Sequence, residues 1–410
     1  MFKILSLSLL LCSFTLSVAA SSGHMQKNGG NTSGICADQS KPASLRCASA
    51  PTAHFDKAGR LWLAWSMGGH VYVNHSDNQA KSFSPPVVVN LIPEAVSARG
   101  ENRPKIVTDD AGRVYVSWTT PLKKRFTGHV RFSVSNDGGK HFSTPIIVND
   151  NLDETGHRFE ALGVTDDGRV YIAWLDKRDR LKARQRGEKY HGAAVYYAYS
   201  DNAGKTFQAN QKIIDHSCEC CRVIIDFDNR QLPVILWRNI YGKNTRDHAL
   251  VNFSSATQFN LPERVSHDNW KVDACPHHGP DMSIAQNNDY HLTWFDNAPD
   301  RHGLFYARRN ADGSYTEAIN FGNYKAGASH PSVLNIKNKV WLSWKEFDGK
   351  QDSVWIKFSK DSGVTWGESQ KVATTKGGSD YAFLLNSKNK VYVQWQTKTD
   401  GFRLIPLDIN

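Results

Sequence analysis

Two short segments of the chain concentrate side chains that bind soft metal ions. One carries three cysteines within four residues and the other a cysteine followed by two histidines: Cys218, Cys220, Cys221, Cys275, His277 and His278. Thiolate and imidazole ligands together suit Cu(I) or Zn(II). In an oxidising compartment the same cysteines favour disulfides between the two segments, and Cys36 and Cys47 are close enough in sequence to pair. A Cu or Zn site and a set of disulfides are therefore the two alternatives.

A repeated strand pattern must position these segments. Seven short apolar runs end in tryptophan, and these tryptophans recur every 50 to 63 residues: Leu61–Trp65, Val114–Trp118, Val170–Trp174, Pro233–Trp237, Tyr290–Trp294, Val340–Trp344 and Val391–Trp395. A period near 50 residues built only of short strands is typical of a β-propeller. The sequence therefore predicts a single all-β propeller of four-stranded blades, with seven blades and the Trp run as each second strand. The last unit shows three clear strands, and we expect the segment before Thr52 to add a fourth.

A turn motif of the form Ser-x-Asp-x-Gly-x-Thr-aromatic accompanies this repeat. Its four copies vary in quality: Ser76–Phe83, Ser135–Phe142, Ser200–Phe207 and Ser359–Trp366. The Asp or Asn side chain bonds to nearby backbone N–H groups, and glycine supplies a positive φ. The motif resembles the Asp-box, or BNR repeat, of sialidases and related β-propellers, which lies between the third and fourth strands of a blade. The sialidases that use this motif have six blades, which is the alternative to seven.

The opposite face of such a propeller carries the connections between blades and those after the Trp runs. Acidic, basic and imidazole groups converge there, as a binding or catalytic pocket requires. The candidate catalytic residues are Arg103, Arg158, Glu160, Asp176, Arg222 and Arg238. The candidate substrate-binding residues are Asn239, Arg246, His330 and Asp380.

The resemblance to sialidases also implies a carboxylate-binding group of arginines. Sialidases hold the substrate carboxylate with three arginines, and a guanidinium fork matches a carboxylate in two parallel hydrogen bonds. The resemblance implies Arg103, which precedes Pro104, as the first of them, with Arg222 and Arg238 as the other two. Sialidases also use an acid/base Asp and a Tyr–Glu nucleophile pair, and the sequence does not place the tyrosine.

The charge of the chain indicates an anionic partner. The net charge is +10, and one basic run, residues 177–186, interrupts the third predicted blade as a loop. A basic loop attracts an acidic glycan or a membrane surface. A second polar loop is predicted at residues 237–247, and its amides and charges suit a polyhydroxylated or anionic ligand. Nucleic acid is not expected as a partner of an exported protein.

The first residues have the features of a secretory signal. Lys3 precedes the apolar stretch Ile4–Leu11, and the small residues Val18–Ala20 follow. We expect a signal peptide at 1–20, a flexible segment at 21–46 and the propeller at 47–410. No second apolar stretch approaches the length of a membrane span, so the expected location is secreted or periplasmic.

These observations favour an exported sialidase-like propeller that binds or hydrolyses acidic glycans at the polar mouth of its central channel. The first alternative is an exported metal-binding propeller that uses the Cys/His segments. The second is a non-catalytic platform for protein interactions, which the fold alone does not distinguish.

Overall fold

The computed structural model of the protein describes residues 42–408. This part of the chain forms 27 β-strands, one α-helix and two short 3-10 turns, at Leu45–Cys47 and Tyr324–Ala326. The predicted signal peptide and most of the flexible segment lie outside the described residues. The chain is all-β, as predicted. Between residues 42 and 408, the structure contains no helix with the length and apolar character needed to cross a bilayer.

Most strands pair with their chain neighbours in small antiparallel sheets. The first two sheets are β1 (Ser49–Phe55), β2 (Leu61–Met67), β3 (His70–Ser76) and β4 (Val87–Val88), then β5 (Lys105–Thr108), β6 (Val114–Pro121), β7 (Gly128–Ser135) and β8 (Ile146–Ile147). The last three are β17 (Asp281–Ile284), β18 (Tyr290–Ala298), β19 (Arg301–Arg309) and β20 (Ile319–Phe321), then β21 (Ser329–Ile336), β22 (Lys339–Phe347), β23 (Asp352–Ser359) and β24 (Gln370–Thr375), and finally β25 (Ser379–Ser387), β26 (Lys390–Thr397) and β27 (Gly401–Leu407).

The middle of the chain forms one sheet of eight strands. They are β9 (His157–Val164), β10 (Val170–Asp176), β11 (Ala193–Ser200), β12 (Gln211–Ser217), β13 (Ile224–Phe227), β14 (Pro233–Tyr241), β15 (Thr245–Asn252) and β16 (Glu263–Arg264). One bridge, Ser217 to Asn239, joins the fourth strand of one set of four to the second strand of the next. Because this bridge merges two sets into one sheet, the count of seven blades stays a prediction.

The first strands of successive sets pack against one another as a ring. The strands β1, β5, β9, β13, β17, β21 and β25 each contact the next, and β25 contacts β1 again. Four-stranded antiparallel sheets arranged around such inner strands are the architecture of a β-propeller.

The tryptophan runs explain how the sheets pack. Each predicted run lies in the second strand of a set, from β2 to β26. Six of the seven final tryptophans are among the largest fully buried side chains, and the seventh, Trp294, is 2% exposed. A buried indole removes a large apolar area from water, but its N–H still needs an acceptor. This requirement determines the roles of several polar residues near the candidate site.

The four motif copies form the same hydrogen-bonded turn between the third and fourth strands. In the fullest match, the Ser359 hydroxyl donates to Asp361 Oδ1 at 2.8 Å and accepts from the Gly363 N–H at 2.8 Å. The weakest copy repeats this with Ser76 Oγ, which lies 2.9 Å from both Asn78 Oδ1 and the Ala80 nitrogen. The sequence analysis therefore located all four turns correctly.

Two local expectations were wrong, and a third is tested only for the described residues. The basic run forms a helix, α1 (Arg178–Gln185), because it consists mainly of good helix formers. Residues 237–247 form the hairpin of β14 and β15 rather than a long loop. The described part of the segment before Thr52 leads into β1, so within residues 42–408 the last sheet keeps three strands.

Candidate functional site

The predicted site residues meet where the inner strands begin, which we call the mouth. Several of these strands are irregular there: β1, β9, β21 and β25 all shift register near their first residues. Three non-glycine residues at these shifts have a positive φ, namely Ala50, Phe159 and His330. Bulges re-aim side chains, and strained backbone of this kind concentrates at functional sites.

Arg103 is buried at the mouth and fully engaged. Its Nη1 and Nη2 lie 2.7 Å from Oδ2 and Oδ1 of Asp380, and its Nε donates to the Gly100 carbonyl at 2.6 Å. The guanidinium packs over the rings of Tyr381 and Phe383. Asp380 therefore occupies the fork that the sialidase resemblance assigns to a substrate carboxylate.

Arg222 is held by a carboxylate that the sequence analysis missed. Glu101 Oε2 accepts from the Arg222 backbone N–H at 3.0 Å, and Oε1 accepts from the Gly279 N–H at 2.7 Å. The Arg222 side chain donates to the carbonyls of Pro280 and Pro331 at 2.7 and 2.8 Å. Burial raises the pKa of Glu101. Glu101 is not part of a repeated motif. Only its place two residues before Arg103 could have indicated it as a site residue.

Arg238 and Arg246 are also buried and bonded to carbonyl groups. Arg238 Nη2 donates to the carbonyls of Phe295 and His278 at 2.6 and 3.0 Å, and Arg246 Nε donates to that of Val272 at 3.2 Å. Arg103, Arg222 and Arg238 thus lie under the mouth and do not form an open arginine triad.

A column of aromatic rings connects neighbouring blades at the mouth. The His278 ring stacks on Phe295 with centroids 4.2 Å apart and meets His330 at 4.4 Å, and His330 stacks on Tyr381 at 3.3 Å. Burial lowers the pKa of His278 to about 3 and that of His330 well below its usual value, so both are neutral near pH 7. Burial also raises the pKa of Tyr381. Tyr381, which the sequence did not indicate as a site residue, is therefore a neutral phenol at the mouth.

Two of the predicted site residues that follow Trp runs accept hydrogen bonds from the buried tryptophans. Trp174 Nε1 donates to Asp176 Oδ2 at 2.8 Å, and Trp237 Nε1 donates to Asn239 Oδ1 at 3.1 Å. Asp176 also forms a buried ion pair with Arg178. Both side chains are buried, and these contacts assign them to packing.

Glu160 and Lys105 lie close enough for the charge of each to act on the other. Glu160 Oε2 accepts from the Thr119 hydroxyl at 2.6 Å, while Oε1 has no partner among residues 42–408. Burial raises the pKa of Glu160, and burial lowers the pKa of Lys105 to about 8. A buried carboxyl with a raised pKa is a feature of general acids.

Arg158 differs from the other predicted arginines. It is partly exposed, and its guanidinium lies over Phe159 at 5.1 Å and Phe126 at 5.8 Å. Within the described residues it forms no ion pair with a carboxylate. Two rings therefore orient a guanidinium that still has its donors available.

The structure brings the two Cys/His segments together beside Arg158. Cys218 Sγ lies 3.7 Å from Cys220 Sγ and 3.3 Å from Cys221 Sγ, and these three thiols are buried. Cys220 also forms a group with Cys275 and His277 whose ligand atoms lie within 4.8 Å of one another. All four cysteines are free thiols, so the disulfides expected between the segments are absent. Cys47 is disulfide-bonded, and Cys36, its expected partner, lies outside the described residues.

His278, the remaining predicted ligand, is not part of this group. Its ring belongs to the aromatic column described above, and its Nδ1 has no partner among residues 42–408. The positive φ of His277 turns adjacent histidines in different directions, so only the first faces the thiols.

A second unpredicted cluster contains three buried acids, Asp247, Asp268 and Asp296. Arg264 pairs with Asp247, and Arg301 pairs with Asp268. Asp296 Oδ1 accepts from the Ala298 N–H at 2.8 Å, whereas Oδ2 has no partner within the described chain. Burial, and secondarily the charge of Asp268, raises the pKa of Asp296 to about 7.

Solved structures with this fold include glycan-active enzymes. A Hadza microbial sialidase, Hz136, has a TM-score of 0.51 at 14% identity, with 84% of this chain and 76% of that chain covered. A polysaccharide lyase of family PL25, an ulvan lyase, has a TM-score of 0.56 at 11% identity, covering 88% and 93%. Searches of family models and of curated proteins give no match. At these identities the likeness shows the fold alone.

Proposed function

We propose that this protein is an exported, sialidase-like propeller of seven blades that binds or hydrolyses acidic glycans at the mouth. The observation that carries the proposal is the availability of Arg158 between two phenylalanine rings. A guanidinium on aromatic rings is preorganised, and its free donors match a carboxylate in two parallel hydrogen bonds.

The remaining groups at the mouth fit the polar part of a sugar. The Tyr381 phenol is partly exposed, and its raised pKa keeps it protonated as a hydrogen-bond donor. Aromatic surface beside donors and acceptors suits a ring that has apolar faces and hydroxyl edges. Arg103, Arg222 and Arg238 support this surface from below.

For hydrolysis, Glu160 is the candidate proton donor. It lies on β9 together with Arg158, and its raised pKa keeps the carboxyl protonated over a wider range of pH. Its Oε1 is buried and has no hydrogen-bond partner among residues 42–408. The Glu160→Gln variant should retain glycan binding but lose any release of sugar.

Binding measurements on the secreted chain test the proposal. Calorimetry should detect 3'-sialyllactose or a glucuronate-containing oligosaccharide but not lactose. Arg158→Ala should weaken this binding at least about tenfold, the cost expected from one charge-assisted contact. Lys140→Ala removes the same charge from an exposed turn on the opposite face and should bind like the parent. Equal affinity in Arg158→Ala, or no binding of either acidic sugar, would refute the proposal.

A further inference from the structure

We propose that the thiols of Cys218, Cys220 and Cys221, extended by Cys275 and His277, form a binding site for a thiophilic metal ion, Zn(II) or Cu(I). This site lies beside Arg158, but the proposal does not depend on glycan binding. The segment 217–222 connects β12 to β13, and the segment 273–280 precedes β17. Neighbouring inner strands thus bring a three-thiol turn and a Cys/His turn together.

The sulfur geometry is close to that of a metal thiolate site. Two thiolates on one zinc ion lie roughly 3.8 Å apart, given Zn–S bonds of about 2.3 Å and tetrahedral angles. The observed separations of 3.7 Å and 3.3 Å from Cys218 Sγ require shifts of only a few tenths of an ångström. A disulfide, at about 2.05 Å, would need a larger movement.

The surroundings fix the two turns in place. The Cys218 N–H donates to the Arg238 carbonyl at 2.9 Å, which anchors the thiol turn to β14. Glu219, between two of the cysteines, accepts ion pairs from Lys177 at 2.8 Å and Arg180 at 2.6 Å. Helix α1, which the sequence predicted as a loop, therefore ties this turn down. Preorganised ligands bind a metal with a smaller loss of entropy.

His277 is oriented as a ligand by the same turn. Its Nδ1 lies 3.2 Å from the Cys220 carbonyl oxygen, which can only accept a hydrogen bond. Nδ1 therefore carries the proton, and Nε2 keeps its lone pair for a metal. A histidine fixed in this way beside Cys220 and Cys275 supplies a second group of ligands that shares Cys220 with the first.

The two ions differ in the ligand number they prefer. Structural zinc sites have four ligands, so Zn(II) would recruit Cys275 or His277 beside the three thiols. Soft thiolates also select Cu(I). For either ion the thiols release their protons to solvent as they bind, and no oxidation or reduction is involved.

The test uses the mature chain purified anaerobically under reducing conditions and titrated separately with Zn(II) and Cu(I) against colorimetric chelators. About one ion per chain should bind, and Co(II) should give a thiolate charge-transfer absorption band. Cys275→Ser and His277→Ala change exposed positions, should fold normally by circular dichroism, and should weaken binding of Zn(II) at least about tenfold. Cys218→Ser/Cys221→Ser should abolish binding of both ions. His191→Ala, an exposed histidine outside both ligand groups, is the matched control.

The outcomes separate clearly. Binding of Zn(II) alone or Cu(I) alone supports the site and identifies its ion, and loss of Cu(I) binding only in the double cysteine variant assigns that ion to the three thiols. Failure of the reduced, folded chain to bind either ion overturns the proposal. Mass-spectrometric mapping of a disulfide among these four cysteines in that preparation also overturns it. Because the readout is metal content, neither result bears on glycan binding.

Discussion

Three polar residues that each follow a buried tryptophan by two positions have the same chemical role. Asp176, Asn239 and Glu346 each accept the N–H of the tryptophan two residues earlier, at 2.8, 3.1 and 2.7 Å. Buried indoles need an acceptor, so these polar residues belong to packing. Asp176 and Asn239 were predicted from the sequence as a catalytic and a substrate-binding residue, because both follow a Trp run at the end where the mouth lies.

Asp296 is the exception and leads to a prediction at this scale. It follows Trp294 by two residues, but Trp294 Nε1 donates to Asp268 at 2.7 Å instead, which leaves Asp296 Oδ2 without a partner in the described chain. Its folded-state pKa of about 7 lies above the unfolded value. The folded state therefore holds this proton more tightly, and stability falls as pH rises from about 4 to about 7.

We expect Asp296→Asn to remove that cost. Denaturant unfolding at pH 8 should show a gain of a few kcal/mol, at most about 4, and no gain near pH 4, because a shift of one pKa unit equals about 1.4 kcal/mol. Asp273→Asn changes an exposed acid and should leave the pH dependence unaltered. If Asp296→Asn were equally destabilised at both pH values, the Asp296 side chain would contribute to stability, and the prediction would be wrong.

Strands and turns were the most predictable part of the molecule. Apolar runs at a steady period predicted the second strand of each set, and the Ser/Asp/Gly pattern predicted the four turns. Both signals are local in sequence. Helix α1 was missed because its charges were interpreted as a solvated loop. In the structure Arg178 turns inward to Asp176 and Asp150, and Arg180 pairs with Glu219. Asp150 and Glu219 are 28 and 39 residues from their arginine partners, so a charge run alone does not reveal these pairs.

The turns allow a prediction with an internal control. Gly204 has a φ of +79°, and a Cβ added there would lie 2.2 Å from Phe132 Cε1. Gly138 lies one position earlier in the corresponding turn of another blade and has a φ of +71°, but nothing lies within 4 Å of an added Cβ. Gly204→Ala should cost about 3 kcal/mol, since a left-handed alanine and an overpacked contact add together. Gly138→Ala should cost only about 1 kcal/mol.

Thermal and urea unfolding of the two variants give this comparison directly. Equal losses would mean that backbone strain alone decides the result and that the aromatic ring moves aside. Ala80 occupies the glycine position of the weakest turn with a φ of +64°, which shows that the turn tolerates a Cβ where space allows.

At the scale of the whole molecule, contacts between distant parts of the chain close the ring. The buried pair of Arg103 and Asp380 joins residues 277 positions apart. The Ala53 N–H donates to Gln394 Oε1 at 2.6 Å, which links the first and last sheets directly, whereas Arg103 precedes the second sheet. The repeat predicted a closed ring of blades. It did not predict the ion pair of Arg103 and Asp380, because no local sequence pattern pairs these two residues.

Asp380→Ala should therefore destabilise the entire fold. It leaves a guanidinium that is 3% exposed without its partner, and breaking a buried pair in this way costs about 3–5 kcal/mol. Glu188→Ala breaks the solvent-exposed pair with Arg186 and should leave the free energy of unfolding essentially unchanged, because water screens this pair. Replacing both partners, as Arg103→Met/Asp380→Leu, should recover much of the loss in urea unfolding. A loss below about 1 kcal/mol for Asp380→Ala would contradict this role.

Glu101 connects inner strands that lie apart in the ring. Glu101 precedes β5, and its carboxylate accepts hydrogen bonds from the backbone N–H groups of Arg222, ahead of β13, and Gly279, ahead of β17. The Arg222 side chain in turn donates to the Pro331 carbonyl in β21. In the ring, these inner strands are not neighbours of β5. One carboxylate and one guanidinium therefore connect β5 to three inner strands with which it shares no sheet.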